Sequence, residues 1–301
     1  MLARLGRSAY ANAFLLLSLV SLFWAGNQIV GRAVAGEVPP ILLGCLRWVL
    51  ATLFILPFAW RSLKSDWPVV RANLGFLAFL GIVGGGAINT LSYIGLNYTT
   101  ATNALILNSS APIFIVLFCY LIFGDRISRL QTVGIAVSIA GVLTVVLGGD
   151  FSALTSVSLN RGDLLVMLGM ASWGVYTAFL RKRPPIAPLS FAATTFAAAA
   201  LANMPLVAIE ALVSYPPRPS LFALLAIGYA GIFPSVIAYM FYNRSVELIG
   251  GSRAGVYTHL VPVFGAVLAF VFLGETPGLY HAVGFALILA GIWLASRAPR
   301  S

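Results

Sequence analysis

Charged residues are scarce in this chain, where they make up 9% of 301 residues and only eight are aspartate or glutamate. A soluble globular domain carries about 25% charged residues, so this sequence cannot cover a water-facing surface. With 60% hydrophobic residues, the composition excludes the ordinary soluble classes. It predicts an all-α polytopic membrane protein, because lipid requires every backbone polar group to be satisfied within the protein.

Cysteine is also nearly absent, since Cys45 and Cys119 are the only two and both lie in apolar runs. Two such positions favour small packing residues over a disulfide framework. We expect no metal site, and we expect no other cofactor.

Long apolar runs, by contrast, are frequent. A bilayer core about 30 Å thick needs roughly 20 apolar residues per helix. Arg4 and Arg7 precede the first run as in a signal peptide, but the run continues past Trp24 and matches the sixth, which favours a helix. The ten predicted spans are 11–31, 40–60, 73–95, 101–123, 130–148, 163–181, 188–213, 221–243, 252–273 and 279–296.

The placement of lysine and arginine predicts the topology. With the amino terminus in the cytoplasm, fourteen of the 18 basic residues fall in inside segments, three fall outside and Arg47 lies within a span. This bias predicts ten spans with both termini cytoplasmic. It also accounts for the net charge of +10 without the nucleic-acid partner that such a charge would suggest in a soluble protein.

The sequence contains an internal duplication. Residues 104–141 match residues 254–291 at a constant offset of 150, which aligns Pro112 with Pro262. Such a long period is unlike that of a solenoid repeat. Spans one to five and six to ten therefore form two copies of one unit.

Because five is an odd number, the second copy must enter the membrane inverted relative to the first. Inverted repeats characterise secondary transporters, whose substrate site lies near the midplane between the halves. The predicted division is a first five-helix repeat, an external linker and a second, inverted five-helix repeat, at residues 1–148, 149–162 and 163–301.

Spans three and eight are interrupted at matching points, by Gly84, Gly85 and Gly86 in the first and by Pro234 in the second. Glycine weakens a helix and proline removes a hydrogen bond from it. Matching breaks in the two halves point to hinges beside a transport site, with tight helix packing as the alternative.

Spans four and nine each contain a proline kink. Pro112 frees the carbonyl of Asn108, and Pro262 frees that of Thr258. Because lipid tolerates freed carbonyls only where neighbours satisfy them, both kinks should line an internal cavity and serve as hinges. His259, beside the second kink, could titrate near neutral pH or be a neutral, hydrogen-bonded histidine.

Polar and aromatic residues near these four breaks form the predicted cavity lining. Asn89 and Tyr93, for example, are spaced i, i+4 and share one helical face, and polar side chains at membrane depth should face the bundle interior. The predicted substrate-binding residues are Trp24, Asn27, Gln28, Asn89, Tyr93, Asn108, Ser109, Trp173, Tyr176, Tyr239, Tyr257, Thr258 and His259.

None of the eight acidic residues lies at the centre of a predicted span. A lining of aromatic and amide groups suits a mostly apolar solute with a few hydrogen-bonding groups. Aromatic amino acids fit, because a flat ring stacks on Trp and Tyr. Arg47 could face the carboxylate of such a solute or could extend its head group towards the membrane surface.

Several short motifs now resemble a known family: LFWAGN in span one, LRW in span two, the SSAP and HLVP kinks, and FGDR and LGET after spans four and nine. Over essentially the whole chain they resemble ten-helix EamA-type carriers of the drug/metabolite transporter superfamily. The likeness is greatest to the YddG-type exporters of aromatic and other neutral amino acids. The resemblance implies a multi-pass protein of the bacterial inner (cytoplasmic) membrane that exports a small molecule by alternating access.

Other functions remain open as alternatives. A carrier of cationic drugs would need a membrane carboxylate, which the first span lacks, and a nucleotide-sugar or sugar-phosphate carrier would need several buried basic residues, of which only Arg47 qualifies. An intramembrane hydrolase would need a serine nucleophile beside a base, and a receptor or scaffold would not explain the matched breaks. We therefore expect a transporter rather than an enzyme. Its partners are the bilayer and a small-molecule substrate, and a monomer suffices for this organisation.

The predicted topology can be tested with single cysteines in a background in which Cys45 and Cys119 are replaced by alanine. A cysteine at Ser156, in the external linker, should react with a membrane-impermeant maleimide in intact cells. A cysteine at Arg126, in a predicted cytoplasmic loop, should react only after the cells are permeabilised. The opposite labelling pattern would contradict the topology.

Overall fold

The computed structural model describes residues 10–34, 36–96, 98–99, 101–156, 160–218, 220–272, 276 and 278–297. Within these ranges the chain forms helices and connecting turns, without a β-strand. Ten helical segments are long and apolar enough to cross a membrane. The predicted fold class, an all-helical polytopic membrane protein with ten spans, is confirmed.

The first half of the chain provides five of these helices, two of which are irregular. The third contains a π-helical turn, and the fourth is broken at two serines. Their bounds are α1 Ala13–Ala33, α2 Pro40–Ala72, α3 Leu74–Gly81 with the π turn Ile82–Ala87 and then Ile88–Leu96, α4 Ala101–Asn108 and Ala111–Phe123, and α5 Arg129–Val146.

The second half repeats this pattern of regular and irregular helices. Its third helix again contains a π turn, and its fourth contains a 3₁₀ turn. The bounds are α6 Arg161–Phe179 with the 3₁₀ turn Leu180–Lys182, α7 Pro188–Val213, α8 Leu221–Gly231 with the π turn Ile232–Ile237 and then Ala238–Ile249, α9 Gly251–Val256 with the 3₁₀ turn Tyr257–His259 and then Leu260–Phe272, and α10 Leu279–Arg297.

The irregular turns lie at the four breaks read from the sequence. The two π turns are 150 residues apart, and they contain the three glycines in α3 and Pro234 in α8. A π turn widens the helix by one residue and is frequent at functional sites. In α4 the two segments separate at Ser109 and Ser110, at the position equivalent to the 3₁₀ turn of α9.

Helix α2 is longer than the sequence predicts, because it continues past residue 60 to Ala72. The basic stretch that was expected to end the span remains helical, as Arg, Lys and Leu are good helix formers. Asp66, in this extension, accepts a hydrogen bond of 2.8 Å from the backbone N–H of Ala187, the residue before α7. The extension thereby ties the end of α2 to the start of α7.

Some sequence features lie outside the described residues. They include residues 1–9 with Arg4 and Arg7, residues 157–159 of the predicted linker, and residues 273–275 of the LGET motif. The described part of the linker contains a short 3₁₀ turn, Phe151–Ser156, before α6 begins.

The two halves pack against each other through pairs of equivalent helices. Helix α2 lies along α7, and α5 lies along α10. Helix α1 of the first half packs against α8 and α9, and α6 of the second half packs against α3 and α4. Each half therefore encloses the first helix of the other.

Glycines bring α5 and α10 into backbone contact. A Cβ atom added at Gly134 would lie 2.6 Å from the carbonyl oxygen of Gly291, and one added at Gly141 would lie 2.7 Å from that of Gly284. Small residues let membrane helices approach closely and gain van der Waals contact. The α5–α10 contact is thus backbone against backbone.

Replacement of Gly141 by alanine should destabilise the protein by about 1–3 kcal/mol, because the added methyl overpacks this contact. The thermal midpoint of the purified protein in detergent, followed by tryptophan fluorescence, measures the loss. Gly31→Ala is the matched control, since a Cβ at Gly31 in α1 meets nothing within 4 Å and alanine is the better helix former. Equal midpoints for the two variants would contradict the tight contact.

Candidate functional site

Seven aromatic side chains from five helices meet at the centre of the protein, and we call them the central aromatic cluster. Neighbouring ring centroids are 4.8–6.2 Å apart. Six of the rings are at most 5% exposed, and Trp24 is half-buried. The members are Trp24 of α1, Trp48 of α2, Trp173 and Tyr176 of α6, Phe196 of α7, and Tyr239 and Tyr242 of α8.

Tyr239 is the ring with the most neighbours in this cluster. Its centroid lies 5.0 Å from that of Trp48 and 5.6 Å from that of Trp173, both in edge-to-face geometry. Edge-to-face pairs are worth about 0.5–1.5 kcal/mol beyond the area they bury. The rings contact one another directly, so in this conformation they fill the space between α1, α6 and α8.

The cluster is hydrogen-bonded to the π turn of α3. The Tyr239 hydroxyl donates to the carbonyl of Gly84 at 2.5 Å. The Trp48 indole Nε1 and the Asn89 side-chain amide both donate to the carbonyl of Gly85, at 3.1 and 3.2 Å. The glycines are needed here, because a Cβ at Gly85 would lie 2.8 Å from the Cβ of Ala199.

The π turn of α8 is satisfied in the same way from the other half. Trp24 Nε1 donates to the carbonyl of Pro234 at 3.1 Å. Because Pro234 has no N–H, the carbonyl of Ala230 loses its helical partner, and the Ser235 hydroxyl donates to it at 2.7 Å. The Arg47 guanidinium also bonds to this turn.

Two further hydrogen bonds join α6 to α8 beside the cluster. The Tyr176 hydroxyl donates to Asn243 Oδ1 at 2.9 Å, and the hydroxyls of Thr177 and Tyr242 lie 2.9 Å apart. All four residues are buried. Buried polar groups that are paired in this way hold two helices in one relative position.

A second, separate group of polar residues lies where the broken helices α4 and α9 meet. His259 is 2% exposed, with Nε2 3.0 Å from the carbonyl oxygen of Ser109 and Nδ1 2.7 Å from Ser138 Oγ. Since a carbonyl only accepts, Nε2 carries the hydrogen and Nδ1 accepts from the serine. This arrangement matches the hydrogen-bonded interpretation of His259 given above.

Some of the predicted site residues fall into two groups, one at the central aromatic cluster and one at the contact between α4 and α9. Trp24, Asn89, Trp173, Tyr176 and Tyr239 belong to or contact the aromatic cluster. Ser109 and His259 meet at the α4–α9 contact. Tyr257 is buried against other helices, since its carbonyl accepts from Ser21 of α1 at 3.1 Å and its hydroxyl lies 2.9 Å from Ser296 Oγ of α10.

Among the side chains that the structure describes, those of Asn27, Gln28, Asn108 and Thr258 are not hydrogen-bonded to either group. Asn27 is half-buried and Gln28 is exposed. The Thr258 hydroxyl donates within its own helix, to the carbonyl of Gly255 at 2.7 Å. Asn108 Oδ1 is buried and has no hydrogen-bond partner among the described residues. The side chain of Tyr93 lies outside the described part of the chain.

Sequence reasoning missed three rings of the cluster: Trp48, Phe196 and Tyr242. The internal duplication carries a signal for two of them. Phe196 follows Trp48 by 148 residues, the offset at which the prolines of spans two and seven align, and the two rings contact each other at 5.3 Å. Trp24 and Trp173, 149 residues apart, also contact each other at 5.3 Å.

Comparison with known proteins places this arrangement among membrane transporters. The sequence model of the EamA-like transporter family matches residues 11–147 and again residues 160–297. An uncharacterized transporter of Archaeoglobus fulgidus is 30% identical over 95% of this chain and 98% of its own length. The uncharacterized transporter YyaM of Bacillus subtilis is 26% identical over 95% and 94%.

Two further relatives and one solved structure add detail. The uncharacterized inner membrane transporter YedA of Escherichia coli is 25% identical over 91% of this chain and 87% of its own length. A probable terminal-alkyne amino-acid exporter of Streptantibioticus cattleyicolor is 28% identical over 75% and 74%. A crystal structure shares the fold with a TM-score of 0.76 and 22% identity, covering 94% of this chain and 96% of that one. With its ten apolar helices, the protein is a multi-pass protein of the inner membrane.

Tyr239→Phe should lower stability by about 1–3 kcal/mol, because it removes the donor to the buried carbonyl of Gly84 and keeps the ring. The thermal midpoint in detergent measures this change. Tyr120→Phe is the matched control, because this ring of α4 is 56% exposed. If the midpoints of both variants equal that of the wild type, the hydroxyl does not stabilise the π turn.

Proposed function

Because the chain belongs to the EamA-like transporter family, we propose that it is a secondary transporter that exports aromatic and related neutral amino acids across the inner membrane by alternating access. It acts as a carrier and catalyses no chemical reaction. The observation that carries the substrate assignment is the central aromatic cluster, which joins helices of both halves.

The chemistry of the cluster favours a neutral aromatic solute. Indole and phenol rings stack on a flat ligand ring and carry N–H and O–H groups for its polar atoms. Among the described residues, no aspartate or glutamate is hydrogen-bonded to a side chain of the cluster, which disfavours a cationic drug. The relative from Streptantibioticus cattleyicolor that is named a probable amino-acid exporter supports the same class of substrate.

The positions of the irregular turns support alternating access. We propose that the two halves are inverted repeats, with hinges at the π turns that contain Gly84, Gly85, Gly86 and Pro234 and at the kinks of Pro112 and Pro262. Rocking of one repeat against the other around a fixed site is how inverted-repeat transporters expose that site to each side in turn. The bonds of Tyr176 to Asn243 and of Thr177 to Tyr242 then hold the present position and break during the cycle.

The substrate assignment can be tested with purified protein in liposomes loaded with labelled Phe, Trp or Thr. We expect Phe and Trp to leave these liposomes faster than they leave protein-free liposomes loaded in the same way. Trp24→Ala, Asn89→Ala and Tyr239→Ala should each reduce the flux, the aromatic variants about tenfold, since they remove ring contacts worth roughly 1.4 kcal/mol.

Trp60→Ala is the matched control, because this tryptophan of α2 is 51% exposed and lies outside the cluster, so its flux should equal that of the wild type. If none of the three amino acids crosses faster than in protein-free liposomes, the substrate assignment is wrong. If all three site variants transport normally, the site lies elsewhere. Parallel assays with a nucleotide sugar and a cationic dye distinguish the other substrate classes.

A further inference from the structure

Arg47 is a buried cation beside the central aromatic cluster. It is 5% exposed and lies on α2 next to Trp48, with its Cζ atom 4.9 Å from the centre of that ring. Its Nε donates to Ser235 Oγ at 2.5 Å and its Nη2 to the carbonyl of Pro234 at 3.4 Å. The guanidinium therefore lies against the π turn of α8.

The positive charge of this group has no carboxylate partner among the described residues. Both hydrogen bonds go to neutral oxygens. Glu210, a buried acid of α7, accepts instead from the backbone N–H groups of Ile41 and Leu42 at the start of α2, at 2.8 and 2.7 Å. A charge at membrane depth is costly and is normally paired, so an anion next to Arg47 would lower the free energy of the protein.

The guanidinium also retains hydrogen-bonding capacity. It has five N–H donors, and two of them account for its bonds to Ser235 and Pro234. Trp24 Nε1 donates to the same Pro234 carbonyl, so this half-buried ring and the guanidinium meet at one oxygen atom. A ligand that displaces Trp24 from Pro234 reaches the unused donors.

We propose that Arg47 binds the carboxylate of the transported ligand while the ligand ring stacks within the central aromatic cluster. This inference rests on the proposed function for the identity of the natural ligand. It adds that Arg47 makes the same site specific for carboxylates. The fork of a guanidinium matches a carboxylate in bidentate geometry. The site should therefore select aromatic carboxylates over aromatic amines of the same size.

Three probes that share one ring separate the two charged groups of an amino acid: Phe, phenylacetate, which has only the carboxylate, and phenethylamine, which has only the amine. Binding to the wild-type protein in nanodiscs can be followed by quenching of tryptophan fluorescence. We expect Phe and phenylacetate to bind and phenethylamine to bind at least about tenfold more weakly.

Arg47→Gln should weaken the binding of Phe and phenylacetate by about 10- to 100-fold, the loss expected for hydrogen bonds to a charged group. It should not weaken phenethylamine binding, because the variant removes a positive charge that repels the amine. Arg47→Lys should bind Phe and phenylacetate more tightly than Arg47→Gln and more weakly than the wild type, because it keeps the charge and loses the bidentate geometry. Arg61→Gln, which removes an exposed charge from the same helix, should bind all three probes like the wild type.

The inference is overturned if phenethylamine binds the wild-type protein as tightly as phenylacetate does, a comparison that needs no variant. It is also overturned if Arg47→Gln or Arg47→Lys binds phenylacetate as tightly as the wild type, or weakens all three probes equally. The liposome assay separates the two proposals. Phenylacetate binding through Arg47 without Phe flux refutes only the amino-acid assignment, whereas Phe flux that Arg47→Gln leaves unchanged refutes only the role of Arg47.

Discussion

The structure depends on one constraint, which is that backbone carbonyls released from a helix in lipid must find donors inside the protein. In the two π turns, the carbonyls of Gly84, Gly85 and Pro234 accept hydrogen bonds from side chains. The donors are indole, amide and guanidinium N–H groups and a phenol, and Tyr239 and Trp24 reach across to the half to which they do not belong. The same side chains thus stabilise the irregular backbone and form the aromatic centre, which explains why the breaks and the rings occur together.

The sequence predicts the number of spans and the positions of the breaks, because both follow from local features: apolar length, glycine, proline and a constant offset between the halves. It does not predict which rings meet. Trp48 and Phe196 lie in ordinary apolar helices, and their contact requires α2 and α7 to be neighbours, which is a tertiary fact. The end of α2 was missed for a related reason, since the bond from Ala187 to Asp66 that holds the extension is also tertiary.

The two halves are not equivalent in this conformation. Tyr176 and Thr177 of α6 are buried and bonded to α8, whereas the corresponding residues of α1, Asn27 and Gln28, are half-buried and exposed. The sequence predicts that Asn27, Gln28 and Tyr176 line one cavity. A difference of this kind between matched helices depends on which helices pack against each of them, which no local pattern encodes.

The contact between Ser109 and His259 has a consequence for how such a fold can arise from duplicated units. These residues are 150 positions apart and touch each other, like Trp24 and Trp173. In a symmetric dimer of identical chains, a residue on the rotation axis meets its own copy, so both positions carry the same side chain. Once both copies share one polypeptide, the two positions can diverge independently, and here one supplies a carbonyl acceptor and the other an imidazole N–H. Two matched positions in one chain can therefore bring different side chains to a contact at which a symmetric assembly would have two identical ones.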